Sequence, residues 1–480
     1  MVNSALVETI KVLRPEEISR LRLYFESSFF KREPHSNDIA KLFGLIADTY
    51  PDFAEAAVDR DKAYAALFAE KVPVKGKLEK VMSELSQQIR SFLLSSDYLR
   101  EENQFEQGLH WATWLRNRGL ADRYELAISK LEKWQQSESS FEPEFFYRQF
   151  LIEREKHNTL APSNQKKGDV NLPNVIQNLD FFYHLSRLEY LNRLQLQKKV
   201  TILDIPVEID PEFVEHPVPN RYLENNPELY AEYHLFKLLK YSIPPEDEVL
   251  SFTHWLSEHE QEIGREPRNR LWAYVRGLYS ILINSGRKEI ILMIHQIHQD
   301  NLEKGYMFFQ GKLSPSAYKN VTYAALAAGQ PKWALEFVEK YKDLIIGENE
   351  TRDFYRLNQA FCFFALGEYD KALDILPQAS TYSDYHSAAR RLELKIYFEL
   401  NSDLLPYKME SFKMYVYRAS KNTLAEGKKE LLLNFYNLLF QICQSPKGDK
   451  ARAQQIVRRI EKKNSVAEKS WLIEKAQQLG

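Results

Sequence analysis

Apolar residues recur at three- and four-residue steps along most of this chain, the spacing that lines one face of an α-helix. "KLEKVMSELSQQIRSFLL" (77–94) and "LHWATWLRNRG" (109–119) are clear cases. Local punctuation supports the same reading. In "RPEEISRLRLYFES" Pro15 takes a first-turn position with two acids behind it, a favourable helix start. "SNDIAKLFGLIADTYP" offers Ser36 or Asn37 as N-cap and stops at Pro51. The periodic pattern lapses in "APSNQKKGDVNLP" (161–173), which we read as a linker. A long helix, "NVIQNLDFFYHLSRLEYLNRLQLQKK" (174–199), follows. "VTILDIPVEIDPEFVEHPVPN" (200–220), with its four prolines, then reads as an extended structural strap or a short strand.

From 227 onward helices alternate with short turns. Aligning the turns superposes Gly286 ("INSGRKEIILMI"), Gly329 ("LAAGQPKWALEFV"), Gly367 ("FALGEYDKALDIL") and Asn401 ("FELNSDLLPYKM"), spaced 43, 38 and 34 residues apart. A helix–turn–helix unit repeating at this period marks a helical solenoid, because one hairpin cannot bury its apolar face but stacked hairpins share a core. In the best unit Gly367 stands in the turn and Tyr369 follows, with Ala360 and Ala372 at small-residue positions and Phe363 at an aromatic one. The preceding unit keeps Gly329 and Ala334 but has Ala325 for the aromatic, and the last has Tyr397 there and Asn401 for glycine. On these residues the chain resembles tetratricopeptide-like repeat proteins, departing from their pattern where Pro377 cuts a second helix short. It also looks like long helical bacterial proteins without assigned function, through "GKLSPSAYKNVTYAALAAGQPKWALEFVEKYKDLI" (311–345) and "SWLIEKAQQL" (470–479).

The predicted architecture is all-α, with helix–turn–helix repeats forming a tetratricopeptide-like α-solenoid after an N-terminal helical region. Its parts are an N-terminal region (1–160), the linker (161–173), a long helix with the strap (174–226), repeats (227–445) and capping helices (446–480). Asp449 is positioned to cap "KARAQQIVRRIEKK", and "SVAE" (465–468) reads as a capping box ahead of Trp471.

The helix "FYRLNQAFCFFALG" carries Phe354, Leu357, Phe361 and Phe364 on its groove side, and Ala360 and Phe363 on its packing side. A helix apolar all round is buried, so we expect other parts of the chain, the N-terminal region among them, to cover it; the alternative is that such inner helices line a hydrophobic groove awaiting a partner helix. "PKWALEFVEKYKDLI" gathers Trp333, Ala334, Phe337, Val338, Tyr341 and Leu344 in one stripe and reads as an outer helix.

Composition sharpens this picture. Only 16 of 480 residues are Gly, leaving little material for β-turns. Cys362 and Cys443 are too few and too far apart for a disulfide framework and suit a reducing cytoplasm. Glu8 interrupts any leader-like apolar run, and no stretch reaches the length of a membrane span. Net charge is −2, yet residues 408–480 carry +8 and the remainder −10.

Catalytic signatures are missing: no phosphate loop, dinucleotide fingerprint, zinc-protease helix or nucleophile elbow occurs, and no enzyme activity, metal or cofactor is expected. His295 and His298 share a helix face but lack a third ligand, and read as polar helix-face residues. Tetratricopeptide-like arrays commonly capture peptides, some by a Lys/Asn clamp on a terminal carboxylate. Mapping that clamp gives Lys319 and Asn358 but Tyr323, Ala388 and Leu392 elsewhere, so the clamp is absent. Candidate partner-binding residues are Lys319, Tyr323, Asn358, Arg391 and Lys395. A second candidate is a basic patch of Lys413, Arg418, Lys421, Arg458 and Arg459, where "ESFKMYVYRASKN" mixes aromatic and basic residues as single-strand binders do. The favoured role is a non-catalytic protein–protein interaction scaffold or adaptor with a protein or peptide partner. The alternative is nucleic-acid binding by the basic end.

Overall fold

The protein was analysed as a computed structural model that describes residues 4–28, 30–33, 35–53, 59–68, 74–137, 142–160, 171–200, 218–347, 351–377, 383–419, 426–463 and 465–480. The predicted linker lies outside these at 161–170, as does the strap at 201–217. The chain is all-α, and among the described residues consecutive helices pack on one another with no strand beyond two isolated bridges. No described helix is long and apolar enough to cross a membrane. Two compact units emerge, Met1–Ser139 with Pro143–Phe182, and Ser140–Glu142 with Tyr183–Gly480.

The first unit holds α1 (Ala5–Lys11), α2 (Pro15–Glu26), α3 (Ser36–Ala47), α4 (Arg60–Leu67), α5 (Lys77–Tyr98), α6 (Gln104–Asn117), α7 (Ala121–Ser137) and α8 (Pro143–Leu160). It also takes the start of α9 (Leu172–Val200). Phe25, Phe30, Phe43 and Leu85 centre one core, and Phe105, Leu115, Ile128 and Ile152 a second. Ser36 is not the cap of α3 but its first residue. His35, at φ 58°, takes the cap position, and the Ser36 hydroxyl turns back to donate to the Lys31 carbonyl.

The second unit continues with α10 (Asn220–Leu223) and then pairs of helices. These are α11 (Pro227–Leu239) with α12 (Glu246–His259), α13 (Arg265–Asn284) with α14 (Ile291–Glu303), and α15 (Pro315–Ala327) with α16 (Pro331–Tyr341). After them come α17 (Thr351–Ala365) with α18 (Tyr369–Ile375), α19 (Ser383–Glu399) with α20 (Leu405–Arg418), and α21 (Glu426–Cys443) with α22 (Lys450–Lys462). The closing helix is α23 (Lys469–Gln477). First helices also stack on first helices: α11 on α13, α15 on α17, and α17 on α19.

The aligned turns share one backbone solution. Gly286, Gly329, Gly367 and Asn401 all have positive φ, at 110°, 72°, 77° and 47°. At each, that residue's N–H donates to the carbonyl three back, and the next N–H to the carbonyl five before it; Gly329 to Leu326 and Gln330 to Ala325 are one example. This is the Schellman cap, which satisfies carbonyls left open at a helix end. Ala334, Ala360 and Ala372 are fully buried, as close helix crossings require. Pro377 follows extended Leu376 and leaves α18 only seven residues long.

Candidate functional site

The stacked first helices bring most of the predicted partner-binding residues together. Lys319 and Tyr323 sit one turn apart on α15, with the Lys319 ammonium 6.0 Å over the Tyr323 ring. Tyr323 meets Phe361 of α17 edge-on at 5.1 Å. Arg391 and Lys395, one turn apart on α19, converge on Glu468 at the entry to α23, at 3.2 and 2.8 Å. Lys395 also lies 4.6 Å over Phe364 and 5.5 Å over Trp471.

Electrostatics follow from this crowding. Burial alone would raise the Glu468 carboxyl, but Lys395 and Arg391 outweigh it and bring the group down to about 2. The Lys319 ammonium is pushed down by burial and then by the neighbouring Arg391 guanidinium. Lys428 of α21 is lowered by burial and then by Lys319. Burial pushes the Tyr323 phenol well up. Among the described residues, neither the Lys319 ammonium nor the Tyr323 hydroxyl has a hydrogen-bond partner, and Lys319 has no ion pair.

Glu468 was missed in the sequence because "SVAE" reads as a capping box. The structure corrects that: Glu468 adopts φ 56° and is itself the residue before α23, so it has no place in the first turn. The Ser465 carbonyl accepts from Asn434, and the Glu468 carboxylate is taken by two cations rather than by a backbone N–H. The capping reading of Asp449 agrees with the structure, its carboxylate accepting from the Arg452 N–H at 2.9 Å.

Asn358 is buried on α17, donating to the Phe354 carbonyl at 2.7 Å. Ala388 and Leu392, the mapped third-unit clamp positions, are buried too. Phe354 and Leu357 are buried, while Phe361 and Phe364 are half-buried. At Phe364 the cover comes from the C-terminal helices, through the cluster containing Trp471 and Leu472. Trp471 packs edge-on against Phe398 at 5.3 Å and donates to Glu399, which Lys475 also pairs at 2.9 Å. Lys288 reaches Ser470 from the Gly286 turn.

The described basic-patch residues lie on α20 and α22. Lys413 pairs with Glu410 and lies over Tyr436, and Arg418 is exposed at the end of α20. Arg458 and Arg459 are exposed on α22, where Arg459 binds Gln441 and Arg458 lines a cavity of about 430 Å³ beside Gly480. Lys421 lies outside the described residues. Of the interleaved aromatics, Phe412 is core against Phe435, Tyr415 packs on His386, and only Tyr417 is exposed.

His295 and His298 are not solvated helix-face residues, because α14 turns both into the interior. His295 meets Trp333 edge-on at 4.7 Å, and His298 is pushed down to about 3 by burial, Arg276 and His295. A further buried cluster was not anticipated. Arg270 of α13 meets Glu232 at 3.1 Å, Glu189 at 3.3 Å and Glu228 at 3.9 Å. Burial and Glu232 hold the Glu228 carboxyl well above its ordinary value. Charges on α9, α11 and α13 carry no sequence signal of meeting until those helices are packed.

In comparisons with known proteins, no protein family, curated protein or solved structure matches this chain.

Proposed function

We propose that this chain is a non-catalytic interaction scaffold or adaptor of tetratricopeptide-like type, acting in the cytoplasm on a protein or peptide partner. One observation carries the reading. Successive first helices present Lys319, Tyr323, Phe361 and Arg391 side by side, with the Lys319 and Tyr323 polar groups unused within the described chain. Aromatic and cationic groups on a rigid helical frame are what peptide recognition draws on. The shared turn geometry and buried alanines support the tetratricopeptide-like assignment. Two free thiols, Cys362 and Cys443, suit the compartment.

Random-peptide display on the immobilised full chain tests this. Enriched peptides should share a consensus and should no longer bind Tyr323→Ala. Retention of single-stranded DNA with steep salt dependence, and no enriched peptide, would favour the nucleic-acid alternative instead.

A further inference from the structure

We propose that the seat formed by Lys319, Tyr323 and Arg391 takes a carboxylate from an acidic peptide, and that Glu468 of this chain is its built-in competitor. The proposal rests on the interaction reading above and names that partner's chemistry.

The seat is unbalanced in charge. Arg391 and Lys395 share one carboxylate, Glu468, and Lys319 lies close enough to Arg391 to feel its charge while making no ion pair among the described residues. Arg391 spends its Nε on Glu468 and its Nη1 on the Ser387 carbonyl, and its other amino group has no partner among the described residues. Three donors are therefore without a hydrogen-bond partner among the described residues: the Lys319 ammonium, the Tyr323 hydroxyl and one amino group of Arg391. A half-buried ammonium beside a guanidinium is disfavoured until an anion joins them.

The occupant already present defines the chemistry. Glu468 is followed three residues later by Trp471, whose ring packs on Phe398 while Lys395 bridges the two sites. An acidic residue flanked by apolar surface is thus what this face accepts from its own chain. An incoming peptide meets the same combination one step along, in Lys319 and Arg391 beside the Tyr323–Phe361 ring pair. Because Arg391 faces both seats, a carboxylate on Lys319 and the Glu468 carboxylate draw on the same guanidinium.

Hexaglutamate titrated into the full chain by calorimetry at low ionic strength is the test. It should bind saturably one to one and about tenfold more weakly to Lys319→Glu, the effect of losing one charge-assisted bond. Lys319 makes no internal hydrogen bond or ion pair among the described residues, and a carboxylate there would face Arg391, so this variant should melt no lower than the parent; Lys319→Gln should fall between the two in affinity. Glu468→Gln should bind several-fold more tightly than the parent, since the competing charge is gone. The proposal falls if no form binds hexaglutamate, if Lys319→Glu binds as well as the parent, or if Glu468→Gln binds no better. It also falls if hexaglutamate merely splits a dimer, because the occupant is then a second copy's segment. Display that enriches only neutral or basic peptides would overturn the acidic assignment while leaving the interaction role standing. Failure to enrich any peptide would overturn both.

Discussion

The Nζ of Lys395 lies 2.8 Å from Oε2 of Glu468, 73 residues further along the chain. With Arg391 on the other oxygen, this pair fastens the segment ahead of α23 to the first helix of a hairpin two helix pairs earlier. Both side chains are largely withdrawn from water, Lys395 at 9% and Glu468 at 20% exposure. Such a pair differs from a solvated one: removing one partner leaves the other charge buried and unpaired.

Acid should therefore loosen this attachment. The Glu468 carboxyl is held near 2, below its ordinary 4.5, so its contribution is fully present above 4.5 and is lost as pH falls toward 2. At most it amounts to about 3 kcal/mol. Urea unfolding followed by far-ultraviolet circular dichroism should show the parent losing this much between about pH 5 and pH 2. Glu468→Gln should start about 2 kcal/mol lower at neutral pH and lose less over that window. Parallel pH profiles for the two proteins would refute the assignment.

A second acid-sensitive group acts at higher pH. His298 is pushed down to about 3 from 6.5, so its neutral form is the folded one and stability declines as pH falls below 6.5. His298→Gln should flatten the profile between about pH 6.5 and pH 4.5, where Glu468 is still silent. Unchanged slope in that interval would show that His298 accepts its proton without cost.

Glu228 makes the opposite prediction. Among the described residues its carboxyl oxygens have no hydrogen-bond partner, and its acid form is favoured by burial, so stability is lost as pH rises above 4.5. Glu228→Gln should raise the melting temperature at neutral pH, because the amide carries no charge to bury. Arg270→Ala should lower stability by about 3 to 5 kcal/mol, since Glu232 and Glu189 lose their buried cation. A stabilised Arg270→Ala protein would contradict the arrangement described for this cluster.

Helices were readable in the sequence because their periodicity is local, and so were the turns at 286, 329, 367 and 401, because positive φ restricts residue choice. What could not be read there depends on packing between distant segments. Lys319 was singled out by register in a repeat and Arg391 as a candidate beside the mapped positions Ala388 and Leu392, but nothing local announces that Arg391 meets Glu468. The same holds for Arg270, which meets acids from α9 and α11. His295 and His298 were misplaced for a related reason: a polar pair on a helix face reads as solvated until Trp333 and Arg276 close over it.

The repeat turns offer the most direct test of the architecture. Among the described residues a Cβ added at Gly329 or Gly367 meets nothing within 4 Å, so the cost of Gly→Ala expected there comes from the backbone. With φ at 72° and 77°, each substitution should cost about 1 kcal/mol in urea unfolding. Asn401, at φ 47°, should show the reverse asymmetry: Asn401→Gly should leave stability within about 0.5 kcal/mol, and Asn401→Ala should cost about 1 kcal/mol. Gly329 and Gly367 cap different hairpins and share no partner in their caps, so the double alanine variant should lose close to the sum of the single losses. A Gly367→Ala protein as stable as the parent would mean that this turn does not hold the left-handed cap on which the alignment of the four hairpins rests.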